Sequence, residues 1–151
     1  MGDVTANFSI QEFLVSDTAE RLGIENTPTA EHLKRLKTVT IPAAQILRDG
    51  FKRSIMIMSG YRNPKLNKAV GGVPNSDHAQ AYAFDFRVAG LTARQAAQQA
   101  VEILMAADKD WDQIILESSR NVVHASFAPR LRCSVLTQAG GPGTPVVVGI
   151  K

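Results

Sequence analysis

Apolar residues along this chain follow two rhythms, and the changes between them mark out the elements. Leu33, Leu36, Val39, Ile46 and Leu47 recur at near-helical spacing through AEHLKRLKTVTIPAAQILRDGF, with Thr29 placed to cap the start. Pro42 lies inside that run and should end or kink the helix near Ile41. Ahead of it, FSIQEFLV (8–15) predicts a short opening helix. Ser9 would be its N-cap, Glu12 would complete a capping box, and Phe8, Ile10, Phe13 and Leu14 would pack it down. The polar stretch 16–28, with Gly23 and Pro28, reads as a loop.

A strand rhythm begins at SIMIM (54–58), an apolar run with β-branched residues that predicts a buried strand. SGYRNPKLNKAVGG follows as a loop with a short helical turn. AFDFRV (83–88) alternates, with Asp85 on one face and Phe84 and Phe86 on the other. LTARQAAQQAVEILMAAD predicts a strong helix, because Thr92 and Gln95 form a capping box and the alanine-rich interior favours helix. QIILE (113–117) and VVHASF (122–127), separated by polar residues 118–121, predict a β-hairpin in which His124 shares a face with Val122 and Ser126. The Gly- and Pro-rich tail QAGGPGTPVVVGIK is expected to be an irregular extension ending in a short edge strand, or a tether. This order predicts an α+β fold: a small antiparallel sheet with N-terminal helices and one inserted helix. It forms a single domain over residues 1–151, with its core over 8–128 and an extension over 129–151.

Composition narrows the class. A hydrophobic fraction of 44% and a charged fraction of 21% are ordinary for a soluble globular domain. The N-terminus lacks the basic start and apolar run of a secretory signal, and no stretch approaches the ~20 apolar residues of a membrane span. The chain is therefore expected to be made in the cytoplasm, and to reach the cell wall only if something else takes it there. A net charge of +3 suits a polyanionic partner such as a cell wall, but no Lys/Arg block marks a nucleic-acid arm, so no nucleic-acid partner is expected. The single cysteine, Cys133, excludes an internal disulfide framework and a Cys-rich zinc finger; a small buried or half-buried role is expected for it.

The chemistry concentrates in SDHAQAYAFDF (76–86) and NVVHASF (121–127). The chain has three histidines, and two of them, His78 and His124, fall in these stretches with Asp85. Two neutral imidazoles and one carboxylate make a three-ligand set for Zn2+ and leave a fourth position for water. Asp85 sits mid-strand between phenylalanines, where an unpaired buried carboxylate is costly. It needs a partner: a metal ion shared with the imidazoles, or Arg87 or Arg62 in a purely structural core. His32 is expected on a solvated helix face, and Trp111 as a core cap.

SGYRNPKLNKAVGGVPNSDHAQAYAFDF resembles the S-G-Y-R … S-x-H-x6-D-F signature of the M15 zinc peptidases, the D-alanyl-D-alanine carboxypeptidase family that includes phage endolysins. QIILESSRNVVHASF resembles that family's second metal segment and the matching segment of the hedgehog signalling domain. The resemblance implies a hedgehog-like zinc fold in which His78, Asp85 and His124 hold the metal. It implies Arg62 as the cation that polarises the scissile carbonyl or stabilises the oxyanion, and Ser76 as a residue that positions substrate or braces its loop. Many members carry an acid three residues before the last zinc histidine; here that position is Asn121, which cannot take a proton. Glu117 is then the expected general base, with Asp77 a poorer candidate beside His78. Tyr82 stands where glycine is frequent, and would crowd the cleft or stack on substrate. The implied activity is hydrolysis of amide bonds in peptidoglycan stem peptides, as a phage or prophage lysis enzyme. Alternatives are a non-catalytic zinc-binding structural or recognition module of a phage particle, and a metal-free domain.

Overall fold

The computed structural model describes residues 3–141 and 144–151. A 3-10 turn (Gln11–Phe13) is followed by α1 (Asp17–Leu22), α2 (Ala30–Arg35), α3 (Ile41–Phe51), β1 (Ile55–Ser59), α4 (Pro64–Ala69), β2 (Ala83–Val88), α5 (Ala93–Ala106), β3 (Gln113–Glu117), β4 (Val122–Ser126), β5 (Ser134–Gln138) and β6 (Val147–Val148). The strands form one sheet in the order β1-β2-β4-β3-β5-β6. This is the expected α+β architecture. All pairs are antiparallel except β3–β5, which is parallel.

One face of the sheet is apolar. Phe84, Phe86, Val123, Ala125, Ile114 and Leu116 enter a core completed by Leu36, Ile41, Leu47, Ala97, Ala100 and Leu104 from the helices. Burying each large side chain contributes roughly 1.5–3 kcal/mol. The opposite face carries Asp85, His124, Ile115 and Glu117, because alternation along each strand sends every second residue there. Core packing on one face thus fixes the register that sets the chemistry on the other.

The helical run 30–51 is unbroken, but Pro42 leaves its mark just upstream. Residues 36–40 form a π-turn, with the Ile41 N–H bonded to the Leu36 carbonyl. Proline has no N–H to continue the i→i−4 ladder, and a widened turn absorbs that loss. The π-turn also aims the buried Thr40 hydroxyl at the Ala81 carbonyl, 2.6 Å away. Ala81 has φ 65°, a left-handed conformation that disfavours alanine, and Thr40 holds this bend between His78 and Asp85.

Several expectations need correction. The opening helix is only a 3-10 turn without a side-chain cap. The Phe13 carbonyl is taken by the Tyr61 N–H at 2.7 Å, so the chain leaves helical geometry to brace the end of β1. The segment read as a loop contains α1, whose N-cap is Ser16 and whose C-cap is Gly23 at φ 67°. β1 is half-buried, with Met56 and Met58 exposed. Of the two readings of the tail, the short edge strand is the one seen, β6 on β5, while β5 itself, just ahead of the tail, is an unexpected strand added to β3. Cys133 is exposed at φ 53°, in the bend that starts β5. His32 is half-buried, with its Nδ1 3.2 Å from the Tyr61 hydroxyl. Trp111, by contrast, is buried in the core as expected, and it donates from Nε1 to the Ser134 carbonyl at 3.1 Å.

Candidate active site

A single cross-strand row builds the centre: Ser59 on β1 faces Asp85 on β2, Asp85 faces His124 on β4, and His124 faces Ile115 on β3. Directly opposed residues have Cβ atoms about 4.5–5.5 Å apart, so Asp85 and His124 are neighbours by pairing alone. His78 comes from the loop before β2. Residue 58 is an irregularity in β1 that shifts the register, so Ser59 aligns with Asp85 and the Gly60 carbonyl falls above His78.

The three side chains converge. Asp85 Oδ1 lies 3.1 Å from His78 Nε2 and 3.0 Å from His124 Nδ1. One donor atom from each residue lies within 4.8 Å of the others. The edge of a tetrahedron built on metal–ligand bonds of about 2.0 Å is about 3.3 Å, close to these separations. His78 and Asp85 are buried, and His124 is nearly so.

Hydrogen bonding supports a cation among the three. His78 Nδ1 faces the Gly60 carbonyl at 2.8 Å, which can only accept. The proton of neutral His78 therefore sits on Nδ1, leaving Nε2 as a lone pair aimed at a carboxylate oxygen. Two acceptors at 3.1 Å need positive charge between them, a second proton or a metal ion. A backbone carbonyl that fixes the tautomer of a histidine is the usual support for a metal ligand. Burial opposes ionisation of Asp85, yet the charge of His78 and the hydrogen bonds from both histidines hold its carboxyl well below the usual range. Burial likewise opposes a charge on His124, but the bond and charge of Asp85 raise it above its ordinary value.

These residues open into a cleft of about 550 Å³ that also takes in Arg62, Ser76, Glu117, Arg120, Val15 and Val73. Ser76 braces its loop: its hydroxyl accepts from the His78 N–H at 3.2 Å and from Arg62 Nη2 at 3.3 Å. Arg62 is anchored by its backbone N–H on the His78 carbonyl, while its buried Nε has no hydrogen-bond partner. Burial pushes the Arg62 guanidinium down from its usual value, against the attraction of Asp85. Glu117 keeps Oε1 on Arg120 Nη1 at 3.0 Å, and its Oε2 is buried and without a partner.

Two expected positions fall elsewhere. Tyr82 is outside the cleft lining; its ring lies under the Arg35 guanidinium, 4.3 Å from carbon to centroid. The bend at Ala81 turns it toward the helical run. Asp77 also points away, to Arg130 at 2.6 Å and to the Ser126 hydroxyl. Asn121 is an exposed turn residue at φ 52°, a conformation asparagine tolerates well, and its carbonyl accepts from Arg87 Nε at 3.0 Å. Arg87 grips the hairpin rather than Asp85. Arg120 is the residue that reading the sequence missed: its Nη2 reaches Asp85 Oδ2 at 3.2 Å. The only hint in the sequence was its place three residues after Glu117, within reach across one turn.

Among the described residues no helix is long and apolar enough to cross a membrane. The family model described as Peptidase M15 matches residues 6–126, most of the chain and all of the site. No curated protein matches the chain.

Proposed function

The chain belongs to the M15 peptidase family, and we propose that it is a zinc-dependent member hydrolysing amide bonds in peptidoglycan stem peptides, as a cell-wall lysis enzyme of a phage or prophage. The observation that carries the catalytic part is Glu117 Oε2, a buried carboxylate oxygen without a partner in the same cleft as the His78–Asp85–His124 donors. Zn2+ held by those donors would supply Lewis-acid polarisation of an amide carbonyl and acidify a water. The rest falls to the chain. Glu117 takes a proton from the attacking water and delivers it to the leaving amine. Arg62 carries its guanidinium toward the cleft and steadies negative charge growing on the carbonyl oxygen. Ser76 holds Arg62 in place. The peptidoglycan substrate rests on family membership and agrees with a net charge of +3, which favours approach to an anionic wall.

Asn121 lends no support to a non-catalytic module, because its place in the turn accounts for it and Glu117 occupies the cleft. The test pairs metal analysis with an assay on purified peptidoglycan. Wild type should carry about one zinc per chain, as a His2Asp site with an open fourth position does, and His124→Ala should lose it. Wild type should release new amino groups from the wall, and Glu117→Gln should retain zinc while losing that release. An intact, zinc-loaded wild type that leaves peptidoglycan untouched defeats the proposal.

A further inference from the structure

The hairpin turn between β3 and β4 carries a guanidinium with two carboxylates in its grip. Arg120 Nη2 meets Asp85 Oδ2 at 3.2 Å, and Nη1 meets Glu117 Oε1 at 3.0 Å. The division of oxygens is orderly. Asp85 gives Oδ1 to the two imidazoles and Oδ2 to Arg120; Glu117 gives Oε1 to Arg120 and keeps Oε2 free. The arginine is itself positioned. Arg87, two residues after Asp85 on β2, donates from Nη2 to the Arg120 carbonyl at 3.2 Å and from Nε to the Asn121 carbonyl at 3.0 Å. Ser119 donates to the Gly140 carbonyl at 2.9 Å and ties the same turn to the segment after β5.

We propose that Arg120 is a positioning residue of this centre, which keeps Asp85 a one-oxygen ligand and turns the free oxygen of Glu117 into the cleft. The inference rests on the metallopeptidase reading above and adds a residue to it. A carboxylate is free to coordinate through one oxygen or two. With Oδ2 engaged by Arg120, only Oδ1 is left for the metal, and the position that water needs stays open. Without the guanidinium, Oδ2 can swing onto the metal beside the water as a fifth donor, and Glu117 loses the contact that orients it. Lysine cannot replace it, since a single ammonium group does not present two N–H donors in a rigid fork to two carboxylates. Arg120 acts through Asp85 and Glu117 and needs no contact with substrate.

Co2+ replaces Zn2+ as the probe, because its visible spectrum reports coordination number directly. Wild type, Arg120→Ala and Arg120→Lys would be compared by cobalt absorption, by zinc affinity against a chromophoric chelator, and by peptidoglycan hydrolysis. Circular dichroism of the metal-free chains would show which variants fold. Wild type should give the intense bands of a four-coordinate site. Both variants should give the weaker bands of a five-coordinate site, with zinc affinity or kcat about 10–100-fold lower, as for other groups that orient metal ligands, and KM little changed. If the alanine variant does not fold, the lysine variant carries the test alone. Variants that fold and keep the wild-type cobalt spectrum and zinc affinity overturn the role of Arg120 and leave the peptidase reading standing. A wild type that binds cobalt but does not cleave peptidoglycan removes that reading, while the spectra still decide how Asp85 is held. A wild type that takes up no cobalt overturns both.

Discussion

Gly60 is where backbone packing and site chemistry meet, and adding one methyl group there should damage both. A Cβ at this position would stand 2.4 Å from the Phe13 carbonyl oxygen and 2.8 Å from the Phe13 Cα, both backbone atoms that no rotamer change can move. The strand end or the 3-10 turn must retreat. Overpacking of this kind costs about 1–3 kcal/mol, and weakening the 2.7 Å Tyr61–Phe13 hydrogen bond adds about 1 kcal/mol. The sum of about 2–4 kcal/mol corresponds to a fall in Tm of about 4–16 °C for a chain of this size. The same retreat moves the Gly60 carbonyl that holds the proton of His78 on Nδ1. Loss of such support lowers zinc affinity about 10–100-fold. Differential scanning calorimetry of metal-free Gly60→Ala gives the first quantity, and chelator competition the second. A variant that melts within about 2 °C of wild type and binds zinc as tightly refutes the reasoning at both levels.

Other outcomes follow from the same geometry. Glu117→Gln should lower peptidoglycan hydrolysis about 10²–10⁴-fold at unchanged zinc content, the usual loss when a general base is removed. Tyr82→Phe should leave kcat and KM unchanged, because the ring packs under Arg35 outside the cleft; a tenfold loss would return Tyr82 to the site. Asp112 is fully buried, and although burial opposes its charge, Arg132 and Arg130 depress its carboxyl below the ordinary value. A depressed carboxyl contributes stability above its unfolded pKa of about 3.9 and loses it as pH falls through the lower folded value. Asp112→Asn should therefore be less stable than wild type near neutrality, with the gap closing in acid melts below about pH 4. Protons and metal compete for His124, whose affinity for a proton is raised. Zinc affinity measured by competition should thus begin to fall while the pH is still above the ordinary histidine value of 6.5.

Much of this was legible from local pattern. Thr92 and Gln95 form the capping box that their spacing promised, because both bonds lie within one turn. The alternation of AFDFRV put Asp85 opposite the phenylalanines, since a strand offers no other arrangement. The three candidate metal donors were legible through resemblance, and the register of β2 and β4 supplies the physical reason that two of them meet. Ser16 and Gly23 carried a helix signal that the polar character of 16–28 obscured. The remainder depends on distant partners. SVLTQ becomes a strand because β3 offers an open edge, and Arg132 and Arg130 find Asp112 to anchor its start. Arg120 looked like any exposed turn residue until the sheet brought Asp85 beneath it. No short window of sequence contains either contact.

The pairing of Asp85 with His124 spans 39 positions, and α5 and β3 both lie between β2 and β4. During synthesis the first two donors leave the ribosome well before the third, and they have no rigid frame until β4 docks beside β2. For the proposed zinc enzyme, metal uptake is then expected late in the life of a nascent chain, gated by a long-range closure that is slow compared with helix formation. Timed metal incorporation would consequently report the moment the central strands come together, making the proposed ion a clock for assembly as well as the proposed instrument of catalysis.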